Sequence, residues 1–506
     1  MLHRLATLPL IVVLLGVTAL TCWLPAVHAA VLRDLPTARA FFYSGAILLV
    51  LTVMLALATA SWRPRNAARS HLAALVGAYL VLPVAMALPV VQALPDTGFA
   101  NAWFEMLSAF TTTGATGYAA PRLPPSVHLW RAVAGWLGGF FILLAAYAVL
   151  APLNLGGAEV ISGRVPGRGA TGATQITRIA EPSERLARYA LAIFPPYTGL
   201  TLLLWLGLLL AGEDSLIALT HAMGTLSTSG ITAGRGPDDA TVLILDEVMI
   251  FAFFLFAVTR RALPFTGLAD RSLPLGRDPE LRTAALFVAL VPLVLLMHHW
   301  LFALTVSSEI DILAGISATL WGALFTAGSF LTTTGYQSAH WGQAQLWSGL
   351  QVPGMMLLGL AILGGGVATT AGGVKLLRIY ALFRHGEREL ERIVHPASIG
   401  GKGAAARKLR REGAYMAWVF FMLFSMAIGA AVLALSMAGL EFQQALVLAI
   451  AALTTTGQLA DVALAQPIPY GPLSATVKLV LGLAMIVGRL ETLALIALLA
   501  PGGWRR

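Results

Sequence analysis

Thr332-Thr333-Thr334-Gly335 is one of four nearly identical phrases in this chain of 506 residues. The other three are Thr111-Thr112-Thr113-Gly114, Ser227-Thr228-Ser229-Gly230 and Thr454-Thr455-Thr456-Gly457. Each phrase follows a short apolar segment and precedes a longer one. We refer to them, in chain order, as the first to fourth Gly loops. Four copies of one hydroxyl-and-glycine loop indicate four related units around a single ion pore.

The composition places the chain in a membrane. Hydrophobic residues make up 58% of it and charged residues only 11%, whereas a soluble domain carries about a quarter charged residues. Apolar runs of about 20 residues match the thickness of the hydrocarbon core when they are helical. Cys22 is the only cysteine, which excludes an intrachain disulfide and a thiolate metal site. The sequence therefore predicts an all-α integral membrane protein.

Ten apolar segments are long enough to cross a bilayer. They are residues 5–24, 39–61, 70–92, 128–150, 186–211, 241–262, 282–304, 346–382, 412–438 and 473–499. Four shorter segments, 99–110, 214–226, 312–330 and 441–453, each lead into a Gly loop. The chain thus repeats one unit of long helix, short helix, Gly loop and long helix. This predicts two N-terminal transmembrane helices and four repeats with pseudo-four-fold symmetry around one central pore. The predicted divisions are 1–62 for the two helices and 63–155, 156–265, 266–400 and 401–506 for the repeats.

The Gly loops carry the groups that a cation filter needs. Backbone carbonyls can replace the water around a cation without a fixed charge that would trap it. Glycine reaches φ > 0, and Thr and Ser add hydroxyls. A single phrase also fits an ordinary helix end with a glycine just after it, but four copies favour a filter. The candidate filter residues are Thr112, Thr113, Gly114, Thr228, Ser229, Gly230, Thr333, Thr334, Gly335, Thr455, Thr456 and Gly457.

The eighth long segment is interrupted by the sequence from Gly364 to Gly373, which we call the glycine-rich break. Each glycine disfavours a helix interior by about 1 kcal/mol relative to alanine. We expect an irregular intramembrane segment that gates the pathway; a kink for close helix packing is the alternative. The candidate gate residues are Gly364, Gly365, Gly366, Thr369, Thr370, Gly372 and Gly373.

Two charged residues, Arg489 and Glu491, lie within the apolar run of the last helix. Charge at membrane depth is costly and usually faces a cavity or a partner. We expect Arg489 to act as an electrostatic barrier beneath the filter. The alternatives are a side chain that snorkels to the interface and a structural pair with Glu491.

The distribution of charge predicts the orientation. Most of the 33 Lys and Arg residues fall on one side of the predicted spans. The positive-inside rule then places the N-terminus in the cytoplasm and the Gly loops on the outer side of the inner (plasma) membrane. The basic run 384–411 is either a solvated loop at the lipid surface or a docking surface for a cytoplasmic partner. Acids on the opposite side, among them Glu105, Glu213 and Asp461, are expected to concentrate cations at a pore mouth. Residues 1–29 fit either a helix or a cleaved signal.

Together these features resemble the Trk/Ktr/HKT superfamily of potassium transporters. The resemblance rests on the four Gly loops, on the break followed by Val374-Lys375, and on Gly488-Arg489-Leu490-Glu491. The two helices before residue 62 resemble the Trk-type membrane subunit. Two positions depart from the family pattern. The second loop has serine where Gly or Ala is frequent, and the fourth loop continues with Gln458-Leu459 in place of a small residue or proline.

The resemblance implies one pore per chain, with Gly114, Gly230, Gly335 and Gly457 as filter glycines and Arg489 projecting toward the filter. It also implies a homodimer in the lipid bilayer and a cytoplasmic ring of nucleotide-binding regulatory subunits. We therefore expect a potassium uptake protein with K⁺ as the transported ion, no bound cofactor, no enzymatic activity and no nucleic-acid partner. One alternative is a Na⁺ or mixed Na⁺/K⁺ conductor on the same fold. A second, of another class, is an intramembrane enzyme or polymer-handling protein, which would need clustered acids, histidines or nucleophiles at membrane depth; Arg489/Glu491 is the one such cluster in the sequence.

Overall fold

The chain folds as a helical membrane protein. The computed structural model describes residues 8–60, 67–153, 155–157, 160, 182–234, 243–262, 275–303, 316–350, 352–395, 411–491, 495 and 498. Within these ranges there is no β-strand, and the predicted all-α class is confirmed. Seven helices in the described ranges are long and apolar enough to span a bilayer. They are Leu10–Val31, Leu35–Thr59, Arg69–Ala93, Pro125–Leu153, Arg185–Leu210, Pro279–Leu301 and Gly413–Met437.

Two N-terminal helices precede four groups of similar helix order. The first helix runs over Leu10–Thr21 and Trp23–Val31, and the second over Leu35–Thr59. The first two groups are Ala67–Ala93, Phe99–Phe110 and Pro125–Ala145, then Pro182–Leu210, Ser215–Ser227 and Leu243–Phe253 with Leu255–Val258. The third comprises Pro279–Ala303, Ile316–Leu331, Trp341–Ser348, Gly354–Leu363 and Leu376–Val394. The fourth comprises Arg411–Met437, Phe442–Leu453, Leu459–Val462 and Ala475–Leu490.

Three of the ten predicted spans are interrupted or shorter than expected. The segment 241–262 ends as a helix at Val258, since Thr259 is extended (φ −141°, ψ 130°). The segment 346–382 is divided between Leu363 and Leu376 by the glycine-rich break. In the segment 473–499 the helix Ala475–Leu490 ends before Glu491 (φ 61°), and most of the remainder lies outside the described residues. The interruptions bring backbone polar groups into the interior, where they need partners other than lipid.

The four groups close into a circle. The last helix of each group packs on the short helix of the next group: Pro125–Ala145 on Ser215–Ser227, Leu243–Phe253 on Ile316–Leu331, and Gly354–Leu363 on Phe442–Leu453. Ala475–Leu490 of the fourth group packs on Phe99–Phe110 of the first. This arrangement surrounds the short helices with longer ones and brings the four Gly loops to the centre.

The surface of the bundle is apolar and its interior is partly polar. Leucines on the long helices face outward, and the side chain of Leu210 is 91% exposed and that of Leu57 is 75% exposed. By contrast, all threonines and serines of the Gly loops are buried. Exposed leucine and buried hydroxyl groups are the distribution expected when lipid is the surrounding solvent. The two N-terminal helices pack on Ala67–Ala93 and Pro125–Ala145, outside the central circle.

Candidate cation pathway

All four short helices end with the same hydrogen-bond pattern. The N–H of the third residue of each Gly loop donates to the carbonyl five residues earlier, and the N–H of the second residue donates to the carbonyl three residues earlier; together these two bonds form a Schellman helix end. The first set is Thr113 to Ser108, Ser229 to Gly224, Thr334 to Ser329 and Thr456 to Ala451, at 2.8–2.9 Å. The four loops therefore share one backbone geometry.

The left-handed position of each helix end is a threonine rather than a glycine. The φ values are 58° for Thr112, 54° for Thr228, 57° for Thr333 and 55° for Thr455. A β-branched residue is rarely found there, and such strain costs on the order of 1–3 kcal/mol per residue. The alternative in which each loop glycine simply caps its helix is therefore wrong, because the glycine comes two residues later. The left-handed position thus holds a threonine in all four loops.

The hydroxyls within each loop divide into two sets. Those of the first and third residues pair with each other. These pairs are Thr111–Thr113 at 2.9 Å, Ser227–Ser229 at 2.9 Å, Thr332–Thr334 at 3.0 Å and Thr454–Thr456 at 3.3 Å. The hydroxyls of the second residues, the left-handed threonines, are not used in this way. Two of them, in Thr112 and Thr455, are buried without a hydrogen-bond partner among the described residues.

The loop glycines form a closed ring. A Cβ on Gly114 would collide with the Ser229 carbonyl of the second loop, and one on Gly230 would collide with the Thr334 carbonyl of the third. The fourth loop closes the ring: a Cβ on Gly335 would lie 3.0 Å from the Cβ of Gln458, and the Gly457 N–H donates to the Thr113 carbonyl over 2.7 Å. Gly114, Gly230 and Gly335 have φ values of 72°, 59° and 87°, whereas Gly457 lies outside the left-handed region. The loops thus follow one another around a common axis in chain order.

One cavity opens onto this ring. It has a volume of about 270 Å³, and its walls include all four loop glycines. Gln337, Gln458, Asp461 and Tyr470 also line it. The cavity is large enough for several water molecules, each of which occupies about 30 Å³. The four loop glycines therefore border one shared space that can hold water.

The glycine-rich break lies on the other side of the Gly loops. The hydroxyl of Thr228 donates to the Thr370 carbonyl at 2.9 Å, and the hydroxyl of Thr333 accepts from the Gly372 N–H at 2.7 Å. A Cβ on Gly372 would lie 2.5 Å from the hydroxyl of Thr455. Two left-handed threonines therefore hold the break directly beneath the ring. A second cavity of about 30 Å³ lies against the break, next to Arg489.

The chain also matches known proteins. Residues 248–502, which include the third and fourth Gly loops, the break and Arg489, match the profile of the TrkH cation transport proteins, and this match covers half of the chain. The chain belongs to the TrkH family. It is accordingly a multi-pass membrane transporter and not an enzyme, which excludes the enzymatic alternative.

Relatives of this TrkH-family chain are similar over nearly its whole length. The Trk system potassium uptake protein TrkH of Escherichia coli (strain K12) is 28% identical over 505 residues, covering 96% of both chains. TrkI of Halomonas elongata is 26% identical over an alignment that covers 83% of this chain and 80% of TrkI. The crystal structure of the potassium transporter TrkH from Vibrio parahaemolyticus has a TM-score of 0.79, 27% identity and complete coverage of both chains.

Arg489 contacts the glycine-rich break and does not pair with Glu491. Its Nη1 donates to the Thr370 carbonyl at 2.6 Å, the same oxygen that accepts from Thr228. Glu491 instead pairs with Arg378 at 2.7 Å, and the Arg378 guanidinium lies 3.6 Å from the centre of the Phe420 ring. The alternative of a structural Arg489–Glu491 pair is therefore wrong. The positive charge of Arg489 is buried directly below the ring, with no carboxylate among the described residues within 4.0 Å.

Two of the acids expected at the pore mouth lie behind the loops instead. Glu105 is 2% exposed; it pairs with Arg131 at 2.6 Å and accepts the Gly117 N–H at 3.1 Å. Glu213 pairs with His221 at 2.5 Å, and the other ring nitrogen of His221 lies 2.9 Å from the Thr232 hydroxyl. Both carboxylates thus brace the chain just after a Gly loop. Only Asp461 of the three named acids lines the cavity.

A third brace was not anticipated from the sequence. Glu247 accepts hydrogen bonds from Trp321 at 2.6 Å, from Ser338 at 2.9 Å and from the Ala339 N–H at 2.8 Å, and so holds the chain after the third Gly loop. The signal that could have found it is a glutamate inside an apolar helix, since a carboxylate at membrane depth needs several donors.

Proposed function

We propose that this chain carries K⁺ across the bacterial inner membrane through the ring of Gly loops. The observation that carries the proposal is the closed ring of four Gly loops, whose glycines all border one shared cavity. The names of the relatives, potassium uptake proteins and a potassium transporter, support K⁺ as the ion. Four equivalent loops around one axis can offer a cation several oxygen ligands at the same depth. A cation needs such ligands when it loses its hydration water.

Passage begins with a hydrated cation in the cavity. The ion exchanges its water for carbonyl oxygens of the third loop residues, and next for the unpaired hydroxyls of Thr112 and Thr455. The C-terminal ends of the four short helices point at the ring, and their partial negative charge favours a cation there. The membrane potential drives uptake with about 2.3 kcal/mol per charge per 100 mV. The backbone carbonyls and the hydroxyls need only take the place of the water molecules around the ion.

The proposed assembly and orientation follow from the resemblance and the charge pattern. We place the cavity on the outer side of the membrane and the N-terminus in the cytoplasm. The chain is divided into the two N-terminal helices and the four pore repeats given above. The homodimer and a cytoplasmic ring of nucleotide-binding subunits belong to the same proposal. The helix Leu376–Val394, which follows the break directly, is a route by which such a ring could pull on it.

Growth of a bacterium that lacks its own potassium uptake systems tests the function. Expression of this chain should restore growth at low K⁺, and purified protein in liposomes should pass Rb⁺ and K⁺ in preference to Na⁺. A reversal potential that follows Na⁺ as strongly as K⁺ would favour the Na⁺ or mixed conductor. The proposal would be rejected if the chain did not restore growth and if neither K⁺ nor Na⁺ entered the liposomes.

Shortening the break should raise the flux. Deletion of Gly365 and Gly366 pulls Thr370 and Gly372 away from the threonines that hold them, and we expect about tenfold more Rb⁺ uptake in liposomes, as loss of two hydrogen bonds of about 1 kcal/mol each would permit. Gly359→Ala, in the helix before the break and with open space around its Cβ, is the matched control. Unchanged or lost uptake in the correctly inserted deletion variant would argue against a gate.

Acidifying the cavity side should slow uptake. Asp461 lines the cavity. Partial desolvation of its carboxyl group by the surrounding protein raises the pKa of Asp461 to about 6. Its negative charge is present above that pH and lost below it, so the attraction for cations weakens as the pH falls from about 7 to about 5. His128 and Arg131 line the same cavity. Asp461→Asn should show low uptake at both pH values; a variant that keeps the pH response would contradict this assignment.

A further inference from the structure

Gln458 reaches across the centre of the ring. Its backbone is fixed at the end of the fourth Gly loop, where the Leu459 N–H donates to the Thr456 carbonyl at 3.1 Å and the Tyr470 hydroxyl donates to the Gly457 carbonyl at 2.9 Å. Its Nε2 donates to the Ser229 carbonyl of the second loop at 3.1 Å. The fourth loop adjoins the first loop and not the second, which lies opposite. The side chain must therefore cross the axis.

The loop glycines locate the amide group of Gln458 on that axis. A Cβ added to Gly114 or to Gly230 would lie 2.5 Å from Nε2, and a Cβ added to Gly335 would lie 2.8 Å from Cδ. One amide thus contacts the glycines of all three other loops. A cation that moves from the cavity to the third-position carbonyls has to pass this point.

The oxygen of the same amide has no hydrogen-bond partner. Oε1 of Gln458 is buried and unpaired among the described residues, although a buried polar atom without a partner costs about 1–3 kcal/mol. A neutral oxygen held beside a path for cations is a suitable ligand for them. The N–H side of the amide meanwhile occupies the Ser229 carbonyl, which a cation would otherwise use.

We propose that Gln458 is a movable bar across the filter that determines its affinity and selectivity. Without an ion, Nε2 holds the Ser229 carbonyl and the amide crosses the axis. An entering cation takes the Ser229 carbonyl, the amide turns aside, and Oε1 becomes one of the ligands at the cavity end. The inference rests on the proposed conduction of K⁺ and explains a residue at which this chain departs from the family pattern.

Rb⁺ uptake into liposomes tests the bar. Gln458→Ala removes the competitor for the Ser229 carbonyl, and the Rb⁺ concentration for half-maximal uptake should fall about fivefold, which corresponds to about 1 kcal/mol. The preference for K⁺ over Na⁺ should fall as well, because one ligand is lost. Gln458→Asn keeps the amide but is one methylene too short to reach the opposite loop, and should shift both quantities in the same direction. Gln337→Ala, at the other glutamine of the cavity wall, is the matched control.

The results separate this inference from the proposed function. Absence of Rb⁺ uptake by the wild-type protein would contradict conduction itself. Wild-type uptake together with unchanged affinity and selectivity in both Gln458 variants would overturn the bar alone. An equal change in Gln337→Ala would overturn it too, because the effect would then belong to the cavity wall in general.

Discussion

Replacing Gly230 by alanine is expected to slow potassium uptake about a hundredfold. The new Cβ would enter the space of the Thr334 carbonyl, a backbone group that cannot turn away without losing its place in the ring. Left-handed backbone costs a non-glycine residue about 1–2 kcal/mol, and overpacking adds about 1–3 kcal/mol. Together these terms predict about a hundredfold slower Rb⁺ uptake in liposomes, and no growth of the potassium-dependent strain at low K⁺.

The effect should be graded among the loop glycines. At Gly335 the added Cβ meets the side chain of Gln458, which can rotate, so Gly335→Ala should retain more uptake than Gly230→Ala. Gly199→Ala is the control, because its Cβ would meet no atom within 4 Å. Wild-type uptake by a folded Gly230→Ala protein would show that the second loop is not part of the pathway.

Arg489→Ala is expected to raise the flux about tenfold. The variant removes a buried positive charge beneath the ring, and a repulsion of roughly 1.4 kcal/mol gives a tenfold change in rate. It also removes one of the two donors to the Thr370 carbonyl, the other being the Thr228 hydroxyl. Single-channel or liposome flux measurements at equal protein density provide the test, with K⁺/Na⁺ selectivity recorded alongside.

A lysine at the same position separates the two contributions of Arg489. Arg489→Lys keeps the charge but loses the planar group that reaches Thr370, so its flux should lie between that of the wild type and that of Arg489→Ala. Flux equal to the alanine variant would assign the whole effect to the hold on the break. Flux unchanged in Arg489→Ala would contradict both roles.

The sequence predicted the elements that composition and repetition control. Four Thr/Ser-Gly phrases after short apolar segments indicated four helix-and-loop units, and the structure brings those loops to one cavity. The density of glycine between Gly364 and Gly373 indicated an irregular segment, and the helices end at Leu363 and resume at Leu376. In both cases the local chemistry of the backbone decides the structure.

The contacts between distant residues could not be predicted in this way. The left-handed position falls on Thr112 and its three equivalents because the Schellman bonds fix it there, against the usual preference for glycine. Glu105 and Glu213 became braces because each meets a partner, Arg131 or His221, in the folded chain. Glu491 likewise pairs with Arg378, more than a hundred positions earlier. The sequence marks Gln458 as a departure from the family pattern, but only the fold shows that its side chain crosses the ring.

Anomalous scattering from Tl⁺ tests the central claim most directly, because Tl⁺ replaces K⁺ and can be located by its own signal. In crystals of the protein soaked with Tl⁺, we predict a peak on the axis between the carbonyl oxygens of Thr113, Ser229, Thr334 and Thr456. Peaks found only elsewhere in the molecule, in protein that passes Tl⁺ in liposomes, would contradict a cation path through the four Gly loops.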